Sequence, residues 1–222
     1  VYSVGVKMEF ELKQVDKKKN TNLHSFLQQV GMAYLYNQNC DMVATECAVN
    51  KDGVYTLSGR NRNYEPHELD AHYIIDVLGV GKKFIPLHLR DENVEWHNQK
   101  TYDNILRGIE VKVSRSDFRN GFVTTGCNYH YLLTPMRLIN KADLPDWFGL
   151  LEYNKYKFSI IGGLGRFNIE GIRVVKRPKF RTITKGQYDR GVTSVSTRLS
   201  IELKINLSRY FRMLKELNKN GV

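Results

Sequence analysis

The run Ile109-Glu110-Val111-Lys112-Val113-Ser114 constrains this chain most. Apolar and polar residues alternate in it with the period of a β-strand. Ile109, Val111 and Val113 share one face, and Glu110, Lys112 and Ser114 share the other. A carboxylate and an ammonium are thus held about 7 Å apart, two residues of strand rise. The β-branched neighbours suit a strand inside a sheet rather than at its edge. A Glu-x-Lys pair on an exposed strand face is commonplace. It gains meaning from a second stretch, Ala71-His72-Tyr73-Ile74-Ile75-Asp76-Val77-Leu78-Gly79. That stretch sets one acid, Asp76, in the middle of an apolar, strand-like run. A buried carboxylate without partners is costly, so Asp76 requires a cation or a strong set of donors. Two acids and a lysine in this order suit metal-assisted hydrolysis of a phosphodiester.

That chemistry needs a divalent ion to polarise the phosphate and supply hydroxide. Mg²⁺ or Mn²⁺ would take a couple of carboxylates plus water and substrate oxygens. Asp76 and Glu110 supply the carboxylates if their strands are neighbours, and the Val111 carbonyl is a further ligand candidate. Lys112 would orient the attacking water or offset charge on the phosphate. Glu46, on the strand expected over Met42 to Val49, is a third acidic candidate, for a second ion or a water. The plain alternative for Glu46 is a strand carboxylate paired with a lysine. Arg115 is placed to meet a phosphate, and Ser114 or Ser116 to cap the helix that follows.

The 222 residues suit one decorated domain or two small ones. No apolar run approaches the ~20 residues that span a bilayer, so no membrane is expected, and the N-terminus lacks the pattern of a signal peptide. Three cysteines, Cys40, Cys47 and Cys127, form no CxxC pair. A sparse, odd set points to a reducing, cytoplasmic setting and against a structural zinc. The net charge of +11 points to a polyanionic partner, most simply DNA.

In chain order, Val4 to Leu12 alternates as a strand. Leu23, Phe26, Leu27, Val30, Ala33 and Tyr34 follow helical spacing behind an Asn20 or Thr21 cap. Met42 to Val49 reads as a strand with Val43, Thr45, Cys47 and Val49 on one face. Asn50 to Asn63 is turn-rich, and Pro66 to Leu69 suits a turn of helix. Gly79-Val80-Gly81-Lys82 suggests a hairpin turn into an imperfect strand over Phe84 to Leu89. Residues 90–107 read as a polar insertion. Tyr129 to Thr134 and Phe148 to Tyr153 are further strands. Phe158 to Ile161 and Ile172 to Val175 suggest a β-hairpin. The most basic tract contains Lys176, Arg177, Lys179, Arg181 and Lys185, interleaved with Phe180 and Tyr188, a pattern that grips nucleic-acid backbone. Leu199, Leu203, Leu207, Tyr210, Leu214 and Leu217 form a helical apolar stripe with Ser196 as cap and Gly221 as stop, suited to core packing or to a homodimer seam. His67 and His72 lie five apart and do not form a zinc motif; Gly163 to Asn168 lacks the third glycine of a dinucleotide loop; Cys127 and His130 lack a third partner.

The eleven residues Ile109-Glu110-Val111-Lys112-Val113-Ser114-Arg115-Ser116-Asp117-Phe118-Arg119 resemble the signature of the MmcB-like DNA-repair family, within the PD-(D/E)XK nuclease superfamily. Asp76-Val77-Leu78, Cys127-Asn128-Tyr129-His130-Tyr131 with Pro135, and Gly149-Leu150-Leu151 are similar to flanking segments of that family. The likeness spans residues 40–153. It implies an α/β, restriction-endonuclease-like fold: a mixed central sheet flanked by helices, here with a C-terminal β-hairpin and helix. It also implies Asp76, Glu110 and Lys112 as the metal-and-lysine triad. Residues 120–126 depart from the family's tract after the signature. On this reading residues 1–153 form the nuclease core and 154–222 a basic extension. The expected activity is Mg²⁺- or Mn²⁺-dependent DNA hydrolysis in repair, recombination or phage-related processing. The alternatives are a non-catalytic DNA-binding module and an RNA-directed hydrolase of the same fold.

Overall fold

The computed structural model describes residues 20–49, 54–55, 73–90, 92–95, 100–162 and 166–219. The strand expected over Val4 to Leu12, most of the turn-rich 50–63 segment, the helical turn near Pro66 and the Gly221 stop lie outside them. The described chain is α/β. A mixed six-stranded sheet has the order β1 (Cys40–Val49), β3 (Tyr73–Phe84), β4 (Tyr102–Val111), β6 (Tyr129–Pro135), β7 (Phe148–Tyr153), β10 (Ile172–Lys176). Strands β1, β3 and β4 are antiparallel; β4, β6 and β7 are parallel; β10 returns antiparallel to β7. Two short ribbons stand apart: β2 (Val54–Tyr55) with β5 (Phe122–Val123), and β8 (Ser159–Gly162) with β9 (Phe167–Glu170).

Apolar residues on the sheet need cover on both faces, and two helices supply most of it. Helix α1 (Asn20–Asn37) lays Leu27, Val30 and Leu35 on Val43, Val77, Ile109, Val111 and Leu133. The opposite face takes Val192, Val195 and Leu199 from the inner half of α3 (Lys185–Lys219), against Ala44, Cys47, Leu78 and Leu106. A third cluster, around Phe118, Phe122, Leu132, Phe148 and Leu150, carries the short helix α2 (Arg115–Arg119). Beyond residue 153, β10 closes the far edge of the sheet and α3 packs on β1 and β3, so this part of the chain shares the central hydrophobic layers.

Five expectations need correction. Gly79 and Gly81 do not turn; β3 runs straight through them to Phe84. They are glycines because the end of α1 and the start of β1 press on the strand: a Cβ on Gly81 would lie 2.4 Å from the Asn39 carbonyl oxygen, and one on Gly79 would lie 2.7 Å from Cys40 Sγ. Phe84 to Leu89 is accordingly no second strand, and Leu87–Leu89 is a 3₁₀ turn. The polar insertion is shorter than 90–107, since β4 already begins at Tyr102 and Ile85 N–H bonds Thr101 O at 2.9 Å. Ile172–Lys176 pairs with β7 rather than with the 158–161 segment, whose partner is Phe167–Glu170. Ser196 lies inside α3, which starts eleven residues earlier. There Thr184 Oγ1 accepts from Gln187 N–H and Gln187 Oε1 accepts from Thr184 N–H, a reciprocal cap.

Strand β1 also departs from simple alternation. Glu46 adopts a left-handed backbone, φ 52°, so Val43 faces α1 while Cys47 and Val49 join Ala44 on the α3 side. The partner strand switches opposite it: Ile75 belongs to the α3-side core and Val77 to the α1-side core, with Asp76 at the change.

Gly81→Ala should lower stability by about 1–3 kcal/mol, since the clash is with backbone and no rotamer relieves it. Urea unfolding followed by far-UV circular dichroism measures this; an unchanged midpoint would refute the packing role of Gly81.

Candidate active site

Strands β3 and β4 pair from Phe84↔Tyr102 down to Val77↔Ile109 and then part. Strand β4 continues against β6 as far as Val111↔Leu133, and Lys112 N–H still bonds Leu133 O at 3.0 Å. A gap therefore opens beside the C-terminal end of β4, and Asp76 sits at its apex. Asp76 Oδ2 accepts from Val111 N–H at 2.7 Å, replacing the lost ladder bond. Asp76 Oδ1 receives His24 Nε2 and Gln28 Nε2, each at 3.2 Å. His24 and Gln28 are four residues apart, so one face of α1 presents both donors to one oxygen.

Glu110 follows on the neighbouring strand and is only 4% exposed. It accepts a hydrogen bond from the Val123 backbone, but its Oε1 has no partner among the described residues. Burial, and then the charge on Asp76, push its pKa well above the usual carboxylate range. Lys112, two residues on, leaves its Nζ 3.4 Å from Asp117 Oδ1, with the side chain 12% exposed. Asp117 is fixed in turn, its Oδ2 accepting from Val113 N–H at 3.3 Å and its own N–H donating to Ser114 Oγ at 3.1 Å. Ser114 is thus the cap of α2, as its position suggested.

Asp76, Glu110 and Lys112 meet at one end of the sheet, with Val111 between the latter two, its side chain fully buried. Glu46 does not join them. Its left-handed backbone turns it to the other helix, where Arg198 Nε bonds its carbonyl at 2.9 Å and Arg198 Nη2 lies 3.9 Å from its carboxylate. Glu46 is a strand carboxylate beside a cation, and that cation is Arg198 rather than the lysine expected. His24, Gln28 and Asp117 belong to the site and were not singled out from sequence. The signal for the first two was the i, i+4 spacing of polar side chains on a helix otherwise read only for its apolar face.

Among the described residues, no group of three or more His, Cys, Asp or Glu side chains is placed to hold a metal ion. Two neighbouring acids, one with a buried unpaired oxygen, match an ion that takes one or two protein carboxylates and completes its sphere with water and substrate oxygens. They do not match an ion that demands a full protein cage. Cys127 and His130 are both buried and form no such site; burial and the Arg181 charge pull the His130 pKa down to about 3.

The basic tract is partly committed to architecture. Lys176 Nζ bonds the carbonyls of Leu144 and Pro145 at 3.2 and 2.8 Å. Arg181 bonds Thr124 O at 3.0 Å and lies over the Trp147 ring at 4.8 Å. Both side chains are thus engaged with the protein's own backbone and, for Arg181, with an aromatic ring. Arg177, Lys179 and Lys185 are exposed, Lys179 beside Asp146 at 3.5 Å and Lys185 beside Asp189 at 3.2 Å. Arg115 is exposed on α2, its Nε donating to Leu138 O at 3.2 Å.

His24 has its pKa raised above 6.5, chiefly by the hydrogen bond to Asp76. The charged pair therefore adds stability below pH 6.5, lost as pH rises through the raised midpoint. In an NMR titration, His24 should titrate above 6.5 in the wild type and lower in Asp76→Asn. Equal midpoints in the two proteins would break the assignment.

No family model matches this chain, and no curated protein does. A solved structure, of a protein of unknown function from Silicibacter pomeroyi, is similar at 15% identity with a TM-score of 0.33, over 57% of this chain and 77% of that one. A likeness so loose fixes neither fold family nor activity.

Proposed function

We propose that this protein is a divalent-metal-dependent phosphodiesterase acting on DNA, with a restriction-endonuclease-like core related to the MmcB-like family. One observation carries the reading: at the gap between β3 and β4, Asp76 lies beside a buried Glu110 that keeps an unpaired oxygen, with Lys112 two residues on. Structural carboxylates are ordinarily buried with their oxygens satisfied. A divalent cation, Mg²⁺ or Mn²⁺, would offset the charge crowding and, when bound, activate water and polarise the phosphate. Asp76 and Glu110 would hold it, with the Val111 carbonyl as a further ligand. Lys112 would leave Asp117 to meet the attacking water or the phosphate, at a modest cost because that contact is long. His24 and Gln28 would keep Asp76 oriented. Arg115, Arg177, Lys179 and Lys185 remain the candidate backbone contacts of the sequence reading, which accords with repair, recombination or phage-related DNA processing.

Labelled duplex, nicked, branched and single-stranded DNA, and RNA, should be incubated with Mg²⁺, Mn²⁺ or EDTA. We expect metal-dependent cleavage of DNA. Lys112→Ala and Asp76→Asn should each lower it by about 10²–10³-fold or more while binding persists. Wild-type cleavage by either variant would refute the triad; binding without cutting in every metal would make the protein a DNA-binding module, and preferential cutting of RNA would move the substrate class.

The same reading includes a homodimer. Beyond Leu199, α3 exposes Leu203, Leu207, Tyr210, Phe211 and Met213, each 46–63% accessible. Leu203, Leu207, Tyr210 and Leu214 follow the 4-3-4 spacing of a coiled-coil seam. In an antiparallel pair, the register that sets Leu207 against Tyr210 also sets Leu203 against Leu214 and Glu202 against Lys215, an opposite-charge match. Light scattering should show a dimer for the wild type and a monomer for Leu207→Asp/Leu214→Asp. A wild-type monomer at working concentration would remove the dimer.

A further inference from the structure

We infer that Arg137 is a phosphate-backbone contact, held ready at the rim of the candidate active site. The inference rests on the reading of that site as one for phosphodiesters, and it names a residue which that reading does not use. Strands β4 and β6 run parallel, so the turn after β6 lies beside the segment after β4 that carries Lys112 and α2. The link is direct: Arg115 on α2 donates to the carbonyl of Leu138 in that turn at 3.2 Å.

The turn is Pro135-Met136-Arg137-Leu138, closed by Leu138 N–H to Pro135 O at 3.2 Å. Arg137 is its third residue and has φ 62°, the left-handed region. Glycine or asparagine is the ordinary occupant of such a position, because a long side chain there meets the backbone. The strain is held from beneath. Arg137 N–H donates to Glu152 Oε1 at 3.0 Å, and Glu152 on β7 is buried, at 8% exposure. Met136 N–H is tied to Tyr153 O at 2.9 Å. The backbone of the turn is thus fixed twice, while the Arg137 side chain is exposed and its guanidinium makes no hydrogen bond or ion pair among the described residues.

A turn built only to reverse the chain has no use for an arginine at this position. A phosphodiester strand does: a guanidinium projecting from a rigid turn offers a planar, two-pronged contact to a phosphate with little ordering left to do on binding. Exposed Lys141, four residues on, and Arg115 across the turn extend the same rim. The acids nearest in sequence are engaged elsewhere, Asp143 with Asn140 N–H and Asp146 with Lys179.

Arg137→Gly and Arg137→Asn test this, since both suit a left-handed backbone and keep the Glu152 contact. Binding of a labelled DNA duplex in EDTA should be followed by fluorescence anisotropy across a salt series, beside thermal unfolding. We expect each variant to unfold at or above the wild-type midpoint, to bind DNA about tenfold more weakly, and to show a salt slope smaller in magnitude by about one. Wild-type affinity and slope in both variants would overturn the inference and leave the nuclease reading standing. If wild-type protein bound no DNA at any salt, the inference would fall together with that reading.

Discussion

Where β3 leaves β4, the Val111 amide loses its ladder partner, and the Asp76 carboxylate takes that place at 2.7 Å. Much else at this end of the sheet follows from that hydrogen bond. It lets β3 diverge without stranding a buried N–H, which would cost about as much as a lost hydrogen bond. It fixes Asp76 beside Glu110, which raises the proton affinity of Glu110. It also turns the remaining oxygen of Asp76 toward α1, where His24 and Gln28 receive it. The sheet prepares for the divergence one strand earlier. Glu46 and Asp76 lie between the flanking pairs Thr45↔Val77 and Cys47↔Ile75, and both strands change their inward-facing residues there.

Glu110 shows what this arrangement costs. A carboxyl 4% exposed with one unpaired oxygen is destabilising in proportion to the charge it carries, and the neighbouring Asp76 adds to the penalty. Lys112 offsets part of it but is itself drawn toward Asp117. On the proposed reading of this site, a proton and a cation would compete for this group. The two are alternatives at one site, so bound metal and acid pH are expected to oppose each other there. Glu152 is buried to a similar degree, yet its carboxylate receives the Arg137 amide and belongs to the fold.

The strands that carry the site were legible because period-two patterning and β-branched content are local properties. The run from Ile109 to Val111, Asp76 in an apolar stretch, α1, β6 and β7 all follow from side-chain alternation or helical spacing. The failures were of another kind. Gly79 and Gly81 carry a turn signal in sequence, but the Asn39–Cys40 backbone crowds them, a contact that local reading cannot see. Glu46 was placed by alternation, and a single left-handed residue undid the alternation. The donors on α1 were missed because nothing local says which strand a polar helix face will meet.

The basic tract carries the same lesson about charge. The five cations from Lys176 to Lys185 read as one nucleic-acid surface, yet Lys176 and Arg181 are drawn into the structure by loop carbonyls. Lysine and arginine carry several donors on a long side chain, so they reach such carbonyls readily. A positively charged chain therefore spends part of its charge on its own backbone. What is left for a polyanion is the charge that makes no such contact, and its position is decided by turns and loop ends rather than by clustering in sequence. Arg137, alone among hydrophobic neighbours in the sequence and carrying no basic pattern, meets that condition better than Lys176 in the densest run.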